Sequence, residues 1–404
     1  WHGKGVDIKE KNCFKLPHTL GGIYATFTEY LGFRANQEEG KVMGLASYGE
    51  YTQDLQDKMD QVISYDKNTG DYKVNPFMRF KGQRSYGQGF TDEFVTLFGP
   101  PKKRSEELTQ YHKNVAFNLQ WRVEQIVCLL VQNAIGEIGS NNVCLAGGVA
   151  MNCKMNGEIA NLGEVNRLFV QPASADNGTA LGAAYVMAMR NGVKSFNKME
   201  HAYWGPEYTD ESVKKAIREA KLEYRKSGTL EKEVARLLAQ GKIIGWLQGR
   251  MEVGARALGA RSILASPIYP DMREKLNMEV KHRENWRPFC PSLPADECSK
   301  YFDSEAINEF MIVACQIKSE FKDILPSAVH VDGSVRPQAV SKEANPKYYN
   351  LLKEFGEITG HPVLINTSFN IQGEPVVLSP QNALRCFGGT GIDVLVMNDY
   401  IIEK

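Results

Sequence analysis

The stretch GRMEVGARALGARSILASP, residues 249–267, places glycines and arginines close together in a chain of 404 residues. It carries no helical stripe of apolar residues, and only its last part is apolar. Glycines let backbone N–H groups approach an anion closely, and guanidinium groups recognise phosphate through planar, paired hydrogen bonds. The stretch therefore predicts an anion-binding loop, and the run KIIGWL at 242–247 predicts the strand that precedes it.

A second basic segment, VKHRENWRPFCPS at 280–292, and a polar turn after the predicted strand HPVLINTSFN at 361–370 extend this prediction. Ligands of open α/β sheets bind at strand ends. The alternative is that these arginines form ordinary surface ion pairs, but acidic residues are few in both basic segments. We predict one anion site that contains Arg250, Arg256, Arg261, Lys281, Arg283, Arg287, Asn366, Thr367, Ser368 and Asn370.

The first half of the chain has its own glycine-rich segments. LAGGVAMN at 145–152 follows a short apolar strand, and QPASADNGTALGAA at 171–184 opens a helix of small residues. Asp176 precedes that helix, where it is either an N-cap or a carboxylate of a nucleotide-facing loop that binds a metal or acts in catalysis, and its position leaves these interpretations open. The residues predicted to face a nucleotide are Gly147, Gly148, Asn152 and Gly178.

Hydrophobic periodicity predicts an α/β protein with two domains, 1–194 and 205–404, joined through a polar connection at 193–213. The order strand, glycine turn, helix, strand, loop, helix in 141–192 is typical of a largely parallel sheet. An irregular polar insertion with short amphipathic pieces is expected at 51–104. Further helices are predicted at 106–138, 229–239 and 379–389, and closing strands at 393–404.

Composition excludes several classes of protein. The chain has 48 basic and 48 acidic residues, so it lacks the excess positive charge typical of proteins that bind nucleic acid or anionic membranes. It has no apolar run of transmembrane length and no secretory signal. Its eight cysteines include no CxxC pair, and its histidines no HxxxH or HExxH pair. We therefore expect a cytoplasmic protein without a membrane or nucleic-acid partner.

Six motifs together, in this order along the chain, carry a resemblance: GKVMGLASYG, LAGGVAMN, QPASADNGTALGAA, GRMEVGARALGARSILASP, VKHRENWRPFCPS and INTSFNIQGEP. They resemble the O-carbamoyltransferase family, which includes the nodulation carbamoyltransferase and the enzymes that carbamoylate cephalosporin and aminoglycoside antibiotics. The resemblance covers nearly the whole chain. The last three motifs are specific when they occur together.

The resemblance implies two modules. Residues 1–194 look like the C-terminal part of an actin-like ATPase domain, similar to the tRNA-modification protein Kae-one, and residues 205–404 look like a YrdC-type α/β domain. In this family the YrdC-like module forms carbamoyl-adenylate from carbamoyl phosphate and ATP, with Mg²⁺. The Kae-one-like module, with Fe²⁺ or another divalent transition metal, then carbamoylates a hydroxyl of a small molecule.

The resemblance also assigns residues. Arg256, Lys281 and Arg287 match catalytic positions, Ser368 matches a position that holds carbamoyl phosphate and the adenylate, and Asp176 matches a metal ligand. The chain departs from the family at Ala255 and Ala260, where a proline and an asparagine are usual, and neither change removes a charge.

The family's first segment, with the histidines of its metal site, has no counterpart here. Three alternatives follow: a longer protein supplies the N-terminal lobe, another chain such as a homodimer partner supplies it, or the transfer chemistry has been lost. Two alternative functions remain open. One is threonylcarbamoyl-adenosine synthesis on tRNA, which the neutral charge disfavours. The other is nucleotide binding without turnover.

Overall fold

The computed structural model describes residues 1–75, 77 and 89–404. The chain divides into two compact units, Trp1–Asn197 and Lys198–Lys404. This boundary falls inside the interval 195–204 that separates the two predicted domains. Residues 76 and 78–88 of the predicted insertion lie outside the described residues.

The first unit is mainly helical, with short paired strands. Its helices are α1 (Leu20–Tyr30), α2 (Glu39–Leu45), α3 (Gln53–Val62), α4 (Asp92–Phe98), α5 (Gln110–Ile138), α6 (Cys153–Ala160) and α7 (Gly178–Arg190). Its strands are β1 (His2–Lys4), β2 (Asp7–Lys9), β3 (Ile63–Tyr65), β4 (Tyr72–Val74), β5 (Asn142–Leu145) and β6 (Arg167–Val170). β1 with β2 and β3 with β4 are antiparallel, whereas β5 and β6 are parallel, as predicted for this segment.

Helix α5 is the longest element of the first unit among the described residues, and it confirms the predicted helix 106–138 from residue 110 onward. It begins where the Thr109 side chain accepts a backbone N–H and the His112 ring accepts the Thr109 N–H in return, a reciprocal cap. It ends before Gly139, whose φ of +72° is left-handed. Its buried apolar stripe packs against α2, α3 and α6 and contains Val115, Leu119, Val123 and Ile126.

The second unit combines helices with a large sheet. Its helices are α8 (Asp210–Glu219), α9 (Leu230–Ala239), α10 (Met272–Lys275), α11 (Cys298–Tyr301), α12 (Pro346–Thr359) and α13 (Pro380–Gly388), and α10 continues into a π-helical turn, Leu276–Lys281. Its strands are β7 (Arg225–Lys226), β8 (Ile244–Leu247), β9 (Arg261–Ala265), β10 (Cys290–Pro294), β11 (Cys315–Gln316), β12 (Ser334–Val335), β13 (Gln338–Val340), β14 (Leu364–Ser368), β15 (Val394–Met397) and β16 (Tyr400–Glu403).

The large sheet has the order β13-β10-β14-β9-β8-β15-β16-β7. Only the β13–β10 and β8–β15 pairs are parallel, so the sheet is mixed. Side chains alternate between its two faces. In β15, Val394 and Val396 pack on α9 and α12, while Leu395 and Met397 pack on α8, α10 and α13. Helices therefore cover both faces, and the mixed α/β class is confirmed for this unit.

Two strands beside the predicted site were missed by sequence reasoning. β9 lies inside the glycine-rich stretch, and β10 includes Pro291 and Pro294, residues that sequence rules place at sheet edges. β10 is nevertheless paired on both sides, with β13 and β14. In the part of the chain that the structure describes, no helix combines the length and the apolar character needed to cross a membrane.

Candidate active site

The arginine loop, residues 249–260 between β8 and β9, is shaped by an internal carboxylate. Glu252 is buried, and its Oε1 accepts the backbone N–H groups of Leu258 at 2.7 Å, Ala260 at 2.8 Å and Arg261 at 3.1 Å. Hydrogen bonds from several N–H groups to one carboxylate fix a turn strongly because the acceptor is charged. Glu252 thus holds the second half of the loop, the half that follows Arg256.

Close packing requires a glycine in the same loop. Gly259 has a φ of +97°, and a Cβ added there would lie 2.2 Å from Cδ1 of Tyr348. The Gly259 carbonyl accepts a hydrogen bond from Nε1 of the buried Trp246 at 3.0 Å. The glycines that suggested an anion loop in the sequence therefore include one that packing alone demands.

Part of the predicted connection 193–213 belongs to this loop's framework. Val253 N–H donates to the Ala202 carbonyl at 2.7 Å, Gly205 N–H to the Met251 carbonyl at 2.9 Å, and Met251 N–H to the Pro206 carbonyl at 3.0 Å. Residues 202–206 run beside the arginine loop as a short extended segment. They are an integral part of the second unit.

Lys281 lies at the end of the π-helical turn and reaches the end of strand β14. Its buried Nζ donates to the Ser368 carbonyl at 2.7 Å and lies 3.3 Å from the Ser368 hydroxyl. It also contacts the Asn370 carbonyl at 2.9 Å and Oδ1 at 2.8 Å. Burial, followed by the nearby charges of Arg283 and Arg287, holds the pKa of Lys281 well below its ordinary value.

Three arginines accompany Lys281. Arg283 donates from Nε to Asn277 Oδ1 at 2.6 Å and stacks over the Phe289 ring at 4.6 Å. Its pKa is lowered by burial first and then by Arg287, with a smaller contribution from Arg336. We call Lys281, Arg283, Arg287 and Arg336 the cation cluster. The positive charges of the cation cluster repel one another, and this repulsion lowers their pKa values. An anion bound among them would offset the repulsion and would therefore bind favourably.

Arg336 was not predicted from the sequence. It lies between β12 and β13, and its guanidinium contacts Cys290 Sγ through Nε at 3.2 Å and Nη2 at 2.9 Å. No glycine and no second basic residue lie within two positions of Arg336 in the sequence. Only the β10–β13 pairing brings it beside the second basic segment.

The polar residues of β14 divide between two environments. Ser368 donates from its hydroxyl to Asn370 Oδ1 at 2.7 Å, so both belong to the Lys281 end. Asn366 is turned into the core, where its Nδ2 donates to Gln338 Oε1 at 2.9 Å and Ser292 Oγ at 3.1 Å. Thr367 is half-buried and pairs with Ile263 of β9. Of the predicted residues, the structure thus brings together Lys281, Arg283, Arg287, Ser368 and Asn370.

Two of the predicted arginines contact backbone carbonyls instead. Arg250 is exposed and donates to the Trp204 carbonyl at 2.9 Å. Arg261 is fully buried, and burial lowers its pKa. Its guanidinium donates to the carbonyls of Pro206, Gln248, Gly249, Ala260 and Leu378. These contacts favour a structural role for Arg261, and the predicted part of both residues in anion binding stays a prediction.

In the first unit, the two glycine-rich segments meet. Gly147, with a φ of +97°, donates its N–H to the Ser174 carbonyl at 2.7 Å, and Gly148 opens a 3₁₀ turn. A Cβ at Gly178 would lie 2.0 Å from the Ala173 carbonyl oxygen, so no other residue fits there without a shift. Asn152 caps α6 by accepting the Met155 N–H at 3.1 Å, and its amide also pairs with the amide of Gln120. The nucleotide-binding role of these four residues stays a prediction.

Asp176 is exposed, and the N-cap interpretation is wrong, because Asn177 occupies the N-cap position of α7 and makes no side-chain capping bond. Among the described residues, no group of three His, Cys, Asp or Glu side chains lies close enough to hold a metal ion. The described residues therefore do not form a complete metal site around Asp176.

Comparison with known families identifies the chain. The model for the carbamoyltransferase N-terminus matches residues 1–185, and the model for the carbamoyltransferase C-terminus matches residues 235–404. An uncharacterized protein of Synechocystis sp. is 36% identical, with 100% of this chain and 70% of that protein covered. The nodulation protein NolNO of Sinorhizobium fredii is 34% identical, with 100% of this chain and 58% of that protein covered. The chain belongs to the carbamoyltransferase family.

These findings confirm the predicted resemblance and enzyme class, and they also show that the chain spans 70% of one of these relatives and 58% of the other. A crystal structure of full-length HypF in a phosphate- and nucleotide-bound form is 18% identical and covers 44% of this chain and 22% of that one, with a TM-score of 0.31. A score this low carries no structural argument. The Kae-one-like and YrdC-like assignments stay predictions.

Proposed function

We propose that this chain is an ATP-dependent carbamoyltransferase whose second unit forms carbamoyl-adenylate from carbamoyl phosphate and ATP. The observation that carries the proposal is the cation cluster around the buried Lys281, which is anchored on Ser368 and Asn370 at the end of β14. Both substrates are polyanions that repel each other. Several fixed cations can hold them together and stabilise the charge that develops as pyrophosphate leaves.

The proposed chemistry has two steps and consumes one water. The phosphoryl group of carbamoyl phosphate passes to water, which gives carbamate and phosphate. A carbamate oxygen then attacks the α-phosphorus of ATP, the bond to the bridging oxygen breaks, and pyrophosphate leaves with that electron pair. Arg287 would hold the phosphate oxygens, the ammonium of Lys281 would add positive charge beside them, and Mg²⁺ would accompany the ATP phosphates.

The second half of the reaction is transfer of the carbamoyl group to the hydroxyl of a small molecule. We assign this transfer to the first unit because the carbamoyltransferase N-terminus model matches residues 1–185. The acceptor is left at the level of a hydroxyl-bearing small molecule, such as a sugar or a natural product. Carbamoyl-adenylate reacts with water, so the acceptor hydroxyl must reach it under conditions that exclude water.

Exchange of labelled pyrophosphate into ATP tests the first half of the reaction. We expect label in ATP only when carbamoyl phosphate is present, because pyrophosphate must attack carbamoyl-adenylate to regenerate ATP. Arg287→Ala should lower this exchange at least about a hundredfold, whereas the exposed Arg236→Ala of α9 should leave it unchanged. ATP binding without any exchange would contradict the proposal and support nucleotide binding without turnover.

A further inference from the structure

Leu258, two residues after Arg256, is a fixed point of the arginine loop. Its N–H donates to Glu252 Oε1 at 2.7 Å. Its carbonyl accepts two further hydrogen bonds, one from the Tyr203 hydroxyl at 2.7 Å and one from Gln338 Nε2 at 2.8 Å. Tyr203 is held in turn by Asn345 Nδ2 at 3.1 Å. Two side chains from outside the loop thus hold the backbone two residues after Arg256, and a third residue, Asn345, holds one of them.

Gln338 extends this contact to two neighbouring strands of the sheet. It lies on the edge strand β13 and is 1% exposed. While its Nε2 holds the Leu258 carbonyl, its Oε1 accepts from Ser292 Oγ at 2.6 Å and from Asn366 Nδ2 at 2.9 Å. The buried amide of Gln338 therefore joins the arginine loop to Ser292 of β10 and to Asn366 of β14. Asn366 lies two residues before Ser368.

Burying these polar side chains costs stability, so packing alone does not explain why they are present. Burying amides and hydroxyls lowers stability unless each group is satisfied, and an apolar residue of the same size would fill the space without that cost. Within the described part of the chain, Asn366 Oδ1 has no hydrogen-bond partner. A buried polar network of this kind fixes one geometry among those that apolar packing would allow.

We propose that Gln338 is a positioning residue of the carbamoyl-adenylate site. It holds Leu258 in register with β14, and so sets the distance between Arg256 on the loop and the Lys281–Ser368 contact. This inference rests on the proposed function and on the sequence prediction that Arg256 contacts a phosphorylated substrate. It adds a residue that the loop motifs do not contain.

The test is a double-mutant cycle between Gln338→Leu and Arg256→Ala, with inorganic pyrophosphate as the probe in calorimetric binding. We expect Gln338→Leu to weaken pyrophosphate binding about tenfold in the wild-type background and less than about twofold in the Arg256→Ala background. A residue that supports the fold alone would weaken binding equally in both. Equal losses, or no loss in the wild-type background, would overturn the inference.

Gln56→Leu is the matched control. Gln56 is a buried amide of the first unit. Its Nε2 donates to Asn118 Oδ1 at 2.9 Å, and its Oε1 accepts from Arg122 Nη2 at 2.6 Å, so its loss should lower stability and leave pyrophosphate affinity unchanged.

If Gln338→Leu does not fold, Gln338→Glu replaces it in the same cycle. Glutamate has nearly the same shape as glutamine but places an acceptor oxygen against the Leu258 carbonyl, so we expect the same coupling to Arg256. Pyrophosphate binding without carbamoyl-phosphate-dependent exchange would contradict the proposed function and leave the cycle readable. A wild-type chain that does not bind pyrophosphate would contradict both.

Discussion

The buried ammonium of Lys281 contacts both oxygens of Ser368, the carbonyl at 2.7 Å and the hydroxyl at 3.3 Å. These two residues are 87 positions apart in the chain, and their contact joins the π-helical turn to the end of β14. Serine and lysine are then fixed relative to each other before a substrate arrives. Preorganised donors of this kind stabilise developing charge without reorganisation during the reaction.

Removing this ammonium tests its role. Lys281→Met keeps the length of the apolar stem but removes the charge, and we expect carbamoyl-phosphate-dependent exchange to fall at least about a hundredfold. Lys275→Met, on the preceding helical turn, removes a lysine whose Nζ lies 3.8 Å from Asp393 Oδ2, and its exchange rate should stay close to wild type. Comparable losses in the two variants would contradict a specific role for Lys281.

The lowered pKa of Lys281 predicts a pH-dependent anion affinity. A lysine with a lowered pKa loses its proton as pH rises through that value, below the ordinary lysine pKa of about 10.4. Sulfate keeps its charge over this range. Calorimetry should therefore show that sulfate affinity falls as pH rises from neutrality and that sulfate binding takes up protons. In Lys281→Arg, where the new guanidinium stays charged, affinity should fall less steeply with pH, because the lowered pKa of Arg283 remains and that of Lys281 is gone. Parallel pH profiles for the two proteins would refute this assignment.

Glu252 is expected to stabilise the second unit through three backbone N–H groups. Glu252→Ala leaves these buried donors without an acceptor and removes the carboxylate that favours charged Arg261. We expect the free energy of unfolding to fall by about 3 kcal/mol in urea titrations, and by less in Glu252→Gln, which keeps an acceptor. The exposed Glu223→Ala serves as the control and should unfold like wild type. If Glu252→Ala unfolds at the same urea concentration as wild type, water must accept the three backbone N–H groups in place of the carboxylate.

Two glycines of the arginine loop offer a matched steric test. Gly259→Ala places a Cβ 2.2 Å from Tyr348 Cδ1 and should destabilise the unit by about 3 kcal/mol. A Cβ at Gly249, with a φ of +49°, meets no atom of the described residues within 4 Å, so Gly249→Ala should cost only about 1 kcal/mol for its backbone conformation. Thermal unfolding of the two variants should separate them in this order. The reverse order would mean that the Gly259–Tyr348 contact is not rigid.

Gly178 and Gly182 of helix α7 make the same test in the first unit. A Cβ at Gly178 would lie 2.0 Å from the Ala173 carbonyl, whereas a Cβ at the exposed Gly182 meets no atom within 4 Å in the described residues. Gly178→Ala should destabilise by about 2 kcal/mol, and Gly182→Ala should stabilise by up to about 1 kcal/mol through helix propensity. If Gly178→Ala also stabilised, a steric need for this glycine would be excluded.

Sequence reasoning succeeded where the pattern is local. Helix α5, strands β5, β6, β8 and β14, and helices α7, α9 and α13 follow from periodicity and flanking glycines or prolines. Strand β10 did not, because its prolines suggest a loop, yet their missing N–H groups are tolerated between two strands. The pairing register of neighbouring strands also depends on segments that are far apart in the sequence, so no local pattern predicts it.

The candidate site was predicted in part for the same reason. Lys281, Arg283 and Arg287 share one segment whose composition reveals a basic site. Composition cannot show which arginines are already engaged, so Arg261, which five carbonyls surround, was grouped with them. Arg336 and Gln338 reach the site only through the pairing of β13 with β10.

The most direct measurement of the central claim is the identification of the intermediate. The chain would be incubated with ATP labelled at the α-phosphorus and carbamoyl phosphate labelled at the carbamoyl carbon, then quenched and separated by chromatography. We predict a species that carries both labels in equal amounts and that is lost in Lys281→Met. A folded chain that binds both substrates and yields no doubly labelled species would contradict the account.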